Sequence, residues 1–185
     1  MRHELSKYRS HDPRIQYRGT NPSRLDNLTD AVFGIAITLL IFNLANPNSF
    51  ADLLNFTKTL PAFLVSITFL FLIWSEHTKF SEIYQVKDIR FVSLNTVFLA
   101  LVIFYVYPLR FLTLFLTNFF FGADIAVRIE GNQVPQLMIY YGFIAFALYL
   151  VVFMFYYVAG RMRSELELNE FEVLYTRYQQ RRLII

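Results

Sequence analysis

Asp26 and Asp30 stand four residues apart at the front of a long apolar run. On a helix that spacing puts both on one face, where like charges repel by a few tenths of a kcal/mol. The face therefore calls for a cation or for hydrogen-bond donors. A carboxylate at the centre of a membrane helix costs about 2.5–3.5 kcal/mol, and less near the interface, so Asp30 should face protein or water. Arg24 is six residues from Asp30, about 240° around a helix, and cannot pair with it on that helix. Donors must come from other segments. The candidates are Trp74 and His77, one turn apart, and Asn95. Such a set either fixes how helices pack or passes protons or ions.

Thr38 is the one hydroxyl in the middle of the same run. Alone it would bond back to the carbonyl four residues earlier, that of Gly34. Its helix face carries Ala31, Ile35, Leu39 and Phe42. That stripe is either helix packing or, with several copies around an axis, a ring of aliphatic side chains that gates by dewetting. In the second case a ring of hydroxyls could replace an ion's lost hydration. Gly34 and Ala36 would let helices approach closely, as small residues do in membranes.

Other chemistries lack their residues. The chain has no cysteine, so disulfides, thiolate catalysis and cysteine metal sites are excluded. His3, His11 and His77 are too scattered for a metal site, and no second constellation converges on Glu76-His77. There is no Walker loop, nucleotide-binding glycine fingerprint, HExxH, GxSxG or TVGYG filter. No enzyme activity and no cofactor are implied.

The elements that must position these groups follow from composition and charge. Of 185 residues, 56% are hydrophobic and 17% charged, against about 25% charged in soluble domains. The charges cluster between apolar runs, which defines an all-α polytopic membrane protein. The net charge of +3 is divided among loops, so nucleic acid is not a partner. Residues 1–21 form a basic, solvated arm without periodicity or a signal-peptide core. Asn21-Pro22 should start the first helix, with Asn as N-cap and Pro at the first position, and Asn46-Pro47-Asn48 should stop it. The uncharged stretch Ala31–Leu44 is only fourteen residues, short of the roughly 20 a solitary span needs. Such a helix belongs inside an assembly.

A second span is expected over Leu60–Ser75, with Trp74 at its interfacial end, then a charged loop over Glu76–Arg90. A third span starts near Phe91 and runs to Tyr107. Pro108 and Arg110 follow it, and Phe111–Phe121 is either its kinked continuation or a half-embedded segment. After a loop with a turn at Gly131-Asn132, a fourth span covers Leu137–Ala159, and 161–185 is a polar tail suited to a solvated helix. The membrane domain is thus 22–160. Lys and Arg number six through Arg24, then one, three, two and five in successive connections and the tail, accounting for all 17. That alternation puts both termini in the cytoplasm, with four spans per chain.

At Arg24-x3-Leu28-Thr29-Asp30-Ala31, followed by the run from Phe33 to Leu40, FGIAITLL, the chain resembles the TMEM175 family of potassium channels in its short prokaryotic form. The family signature is R-x3-F-S-D-G/A and then a run like FAIAITLL. Trp74, His77, Asn95 and Pro108 are also similar to the family pattern, and the resemblance covers about residues 22–160. It implies a multi-pass protein of the prokaryotic plasma membrane: a homotetrameric leak channel, selective for potassium over sodium, with the first helix lining a central pore. On this chain it implies a constriction at Ile35, Leu39 and Phe42, a hydroxyl layer at Thr38, and a structural network of Arg24, Thr29, Asp30, Trp74, His77 and Asn95. Potassium ions, the bilayer and three further copies would be the partners. Leu28-Thr29 replaces the usual Phe-Ser, Phe42 is bulkier than the usual aliphatic, and family subunits have six spans against the four expected here. A non-conducting membrane scaffold, with the first helix as a packing helix, is the alternative.

Overall fold

A computed structural model describes residues 12–19, 21–42, 49–86, 88–121 and 129–184. The described elements are all helical: α1 (Arg24–Phe42), α2 (Phe50–Thr57), α3 (Leu60–Tyr84), α4 (Ile89–Phe121), α5 (Val134–Arg161) and α6 (Glu170–Ile184). A 3-10 turn at Gly131–Gln133 leads into α5. Three stretches are long and apolar enough to cross a membrane: Leu60–Tyr84, Ile89–Phe119 and Gly131–Arg161. The 19 residues of α1 span about 28 Å.

The helix starts follow local hydrogen-bond chemistry. The first helix begins two residues later than Asn21-Pro22 suggests, because Ser23 and Asp26 form a reciprocal cap. The Asp26 N–H donates to Ser23 Oγ at 3.2 Å, and the Ser23 N–H donates to Asp26 Oδ2 at 2.7 Å. Two orphan donors are satisfied at once, which Asn21 cannot match. Pro61 occupies the first turn of α3, where its missing N–H costs nothing. The stop signal Asn46-Pro47-Asn48 lies outside the described residues.

Two boundaries differ from the sequence expectation. The charged stretch after Ser75 is not a loop: α3 continues to Tyr84 and ends at Gln85, whose φ of 41° is left-handed. His77, Phe80, Ser81 and Tyr84 are buried at helical spacing, while Lys79 stays exposed. At 25 residues, α3 is about 37 Å long, longer than the roughly 30 Å hydrocarbon core, so its charged last turns project beyond it. The second difference settles the alternatives for Phe111–Phe121. It continues α4, one helix of 33 residues with Pro108 inside. Pro108 removes the bond to the carbonyl four residues earlier, and one turn further on Tyr141 Oη on α5 donates to the Pro108 carbonyl at 2.6 Å.

The long helices alternate in direction. The start of α1, the ends of α3 and α5 and the start of α4 meet at one end of the bundle. An aromatic cluster fills that end: the Phe80 ring centroid lies 5.4 Å from those of Phe91 and Phe155 and 5.2 Å from Tyr156. Toward the other end, Ser66 Oγ and Thr113 Oγ1 hydrogen-bond across α3 and α4 at 2.8 Å, both buried.

Residues 12–19 are not a free solvated arm. Arg18 and Gly19 N–H donate to the carbonyls of Ile83 and Glu82 at 3.4 and 2.9 Å, laying the strap along the end of α3. Arg18 grips both carboxylate oxygens of Glu172 on α6 at 3.0 Å, and the Gln16 N–H adds a bond of 2.7 Å. The tail helix is likewise docked. It buries Glu172, Thr176 and Gln179, with Phe171, Tyr175 and Leu183 packed against the core beside them, and Tyr84 Oη meets Thr176 Oγ1 at 2.7 Å.

Candidate functional site

The site is built on the two faces of α1. Thr29, Phe33, Ala36 and Leu40 are buried at helical spacing against the rest of the chain. The opposite side leaves Leu28, Ala31, Gly34, Ile35 and Thr38 exposed. With about 100° per residue, these two sets lie on opposed sides of the helix. Ile35 is 54% exposed, a large value for an isoleucine in an apolar helix. Gly34 has open space where a Cβ would stand. Thr38 Oγ1 bonds back to the Ile35 carbonyl at 2.7 Å, three residues earlier, not to Gly34. Leu39 is half-buried and sits on the flank of this face, with Ile35 and Thr38 nearer its centre. The side chain of Phe42 lies outside the description.

The N-terminal end of α1 is tied to α3 and α4 by a chain of hydrogen bonds. The Trp74 indole N–H donates to Asp30 Oδ1 at 2.7 Å. Asn95 Nδ2 donates to Thr29 Oγ1 at 3.1 Å, and Asn95 Oδ1 faces His77 Nε2 at 2.7 Å. Thr29 Oγ1 gives its only proton to the Leu25 carbonyl at 2.9 Å. It can therefore only accept from Asn95, which fixes the amide orientation and makes His77 Nε2–H the donor to Oδ1. The His77 ring is held by stacking on Phe98, centroids 5.2 Å apart, with Phe155 edge-on at 5.7 Å. Thr29, His77 and Asn95 are buried, whereas Asp30 is exposed and Trp74 half-buried at the edge of the network.

Thr29, Asp30, Trp74, His77 and Asn95 thus converge on one junction of three helices. Arg24 does not join them: it is exposed, with no hydrogen-bond partner among the described residues. Sequence reasoning missed Ser81, whose hydroxyl donates to Asp26 Oδ1. The signal was present in its spacing, since Ser81 follows His77 by four residues and shares its helix face. Asp26 is thereby fixed by its own helix cap on one oxygen and by α3 on the other.

Chemically, the junction holds neutral donors against carboxylates and offers no nucleophile paired with a base. No group of three or more His, Asp or Glu among the described residues could hold a metal ion. What the geometry defines is an all-α protein with three helices long and apolar enough to cross a membrane among the described residues, which presents one face of α1 outward from the chain. A family model described as "Endosomal/lysosomal potassium channel TMEM175" matches residues 24–105. A relative named "Potassium channel" from Marivirga tractuosa is 32% identical over 174 residues, covering 90% of this chain and 70% of the relative. The crystal structure of a variant of the potassium channel MtTMEM175, in complex with a nanobody–MBP fusion, superposes with a TM-score of 0.87 at 31% identity. That match covers 94% of this chain and 78% of the other. The chain belongs to the TMEM175 family.

Proposed function

We propose that the protein is a potassium-selective leak channel of the prokaryotic plasma membrane, a homotetramer whose pore is lined by α1. In this reading α1, α3, α4 and α5 are the four spans, and both termini are cytoplasmic. Ile35, Leu39 and Phe42 form the constriction, and Thr38 supplies a hydroxyl layer. The observation that carries it is the exposed stripe Ala31, Gly34, Ile35 and Thr38 opposite a fully packed face. A single α1 is also too charged at its start to face lipid alone, and three more copies would shield it. The relatives' printed names supply the ion.

Thr29, Asp30, Trp74, His77 and Asn95 act in this reading as the anchor that sets the tilt and rotation of the pore helix. A ring of four Ile35 side chains excludes water when narrow and admits a partly dehydrated cation when wider, with the Thr38 hydroxyls replacing lost hydration. Purified protein in liposomes should pass potassium in preference to sodium. Ile35→Asn, which wets the constriction, should raise the flux, and Thr38→Ala should lower the potassium-to-sodium ratio. Absence of flux from wild type in protein that is tetrameric by native mass would leave α1 a packing helix of a scaffold. Identical flux and selectivity in wild type and both variants would remove the pore from this face.

A further inference from the structure

The pore reading makes no use of the outer side of α5 and α6. A groove of about 200 Å³ runs between the last turn of α5, the 162–168 connection and α6. Arg161, Arg163 and Arg177 line it, and no carboxylate does. Tyr157 and the apolar Leu168 and Val173 also line it. The Arg161 guanidinium lies 5.3 Å from the Tyr157 ring centroid and donates to its hydroxyl at 3.0 and 2.7 Å, so its head is held at the groove.

Among the described residues, none of these three arginines has an ion-pair partner, whereas Arg18 and Arg182 at the same end are paired with Glu172 and Glu76. The nearby acidic residues face elsewhere. Glu165 and Glu167 line a separate concavity with Arg18 and Asp88, and Glu170 lines an adjoining one on the far side of Arg163, Leu168 and Val173, which the two share. Three uncompensated guanidinium groups around one concavity repel each other, so an anion there is favourable.

The groove's depth identifies the anion. Arg161 closes the stretch Gly131–Arg161, which is long and apolar enough to cross a membrane. Tyr157, one turn earlier, sits where interfacial tyrosines gather. The arginines therefore lie at headgroup level, with Leu168 and Val173 beside them. Guanidinium forks match phosphate oxygens bidentately, and basic pockets at the ends of spans take anionic lipid headgroups.

We propose that this groove binds the phosphodiester headgroup of an anionic membrane phospholipid. The three arginines take the phosphate, and Leu168 and Val173 pack on the glycerol and first acyl carbons. The inference needs α5 to cross a bilayer and is independent of what α1 conducts.

The test uses the full chain in phosphatidylcholine nanodiscs into which phosphatidylglycerol is titrated, with retained lipid counted by native mass spectrometry. Each arginine near a membrane surface is worth about fivefold in binding. Wild type should therefore retain phosphatidylglycerol over phosphatidylcholine by on the order of a hundredfold. Arg177→Gln alone should lose about fivefold, and the triple change with Arg161→Gln and Arg163→Gln nearly all of the preference. Arg90→Gln, an exposed arginine at the same end of the bundle but outside the groove, should change nothing. If the triple variant fails to fold, Arg177→Gln on the exposed side of α6 decides. Equal retention of the two lipids by wild type, or unchanged retention in Arg177→Gln, would overturn the site. An equal loss in Arg90→Gln would reduce it to diffuse surface charge. Displacement of the lipid by millimolar inorganic phosphate would make it a free-anion site and not a lipid one.

Discussion

Replacing Asn95 by leucine keeps the number and branching of the side-chain heavy atoms and removes both arms of the bridge between α1 and α3. The bond to Thr29 is one interhelical hydrogen bond, worth about 0.6 kcal/mol on average in membrane interiors and at most about 1.7. The bond to His77 matters more, because its loss leaves Nε2–H facing apolar atoms. The ring is buried between Phe98 and Phe155, and an orphaned buried donor costs about 1–3 kcal/mol. Together the expected destabilisation is about 2–3 kcal/mol. Thr29→Val removes the acceptor for Asn95 and the back-bond to the Leu25 carbonyl, which is already in the helix, and should cost about 1 kcal/mol. The two changes share a bond, so a double-mutant cycle should show about 0.5–1 kcal/mol of coupling. Thr96→Val is the control: Thr96 is exposed and bonds only to the Val92 carbonyl, so its cost should stay within about 0.5 kcal/mol. Equilibrium unfolding in mixed micelles reads all four, and the single Trp, Trp74, reports directly on the junction through its bond to Asp30. An Asn95→Leu effect within about 0.5 kcal/mol of zero, or strictly additive costs, would refute the hydrogen-bond chain as the lock on α1.

Two further outcomes concern the strap. A Cβ at Gly19 would clash with the Ser81 carbonyl and with Glu82 Cα, so Gly19→Ala should lift residues 12–19 and speed tryptic cleavage after Arg18; an unchanged cleavage rate would mean the strap is not held there. The Glu172 carboxyl is pushed up by burial, but hydrogen bonds from Arg18 and from the Asn169 and Gln16 N–H groups outweigh this and hold it below its ordinary 4.5. A depressed folded-state pKa means the stabilisation is fully present above the unfolded value and is lost as pH falls through the lowered one. Hydrogen-exchange protection of the Gly19 amide should therefore be flat from neutral pH down to about 4.5 and fall below it. Glu172→Gln should flatten that dependence, and a wild-type profile without the acid step would remove Glu172 as the holding group.

What the sequence made legible was governed by where apolar periodicity speaks. The long apolar runs locate the cores of α3, α4 and α5. The donors for Asp30 could be named because a carboxylate at membrane depth restricts its partners to polar groups of equal depth. The end of α3 was not legible, because the charges of Glu76, Lys79 and Glu82 interrupt the stretch in which Phe80, Ile83 and Tyr84 are buried. With the segment read as a loop, Ser81 could not be seen as the partner of Asp26. The docking of α6 was masked in the same way: Phe171, Tyr175 and Leu183 pack on the core, but Glu172, Thr176 and Gln179 are buried among them. The Arg18–Glu172 pair joins residues 154 apart, a distance over which spacing carries no information.

These misses share one location, the end of the bundle where the strap, α6 and the charged turns of α3 meet the start of α1. There polar bonds act beside the aromatic packing: Asp26 is held by Ser81, Asp30 by Trp74, and Thr29 by Asn95, whose Oδ1 also accepts from His77 Nε2–H. Bonds of this kind constrain rotation about a helix axis more sharply than aliphatic contact does, because each has an angular requirement. An α1 fixed in rotation at residues 26–30 has no freedom to choose which face it turns outward at residues 31–38. The rigid junction therefore dictates that Ile35 and Thr38 point away from the subunit. A junction variant such as Asn95→Leu should alter any property of the outward face without touching a residue on it.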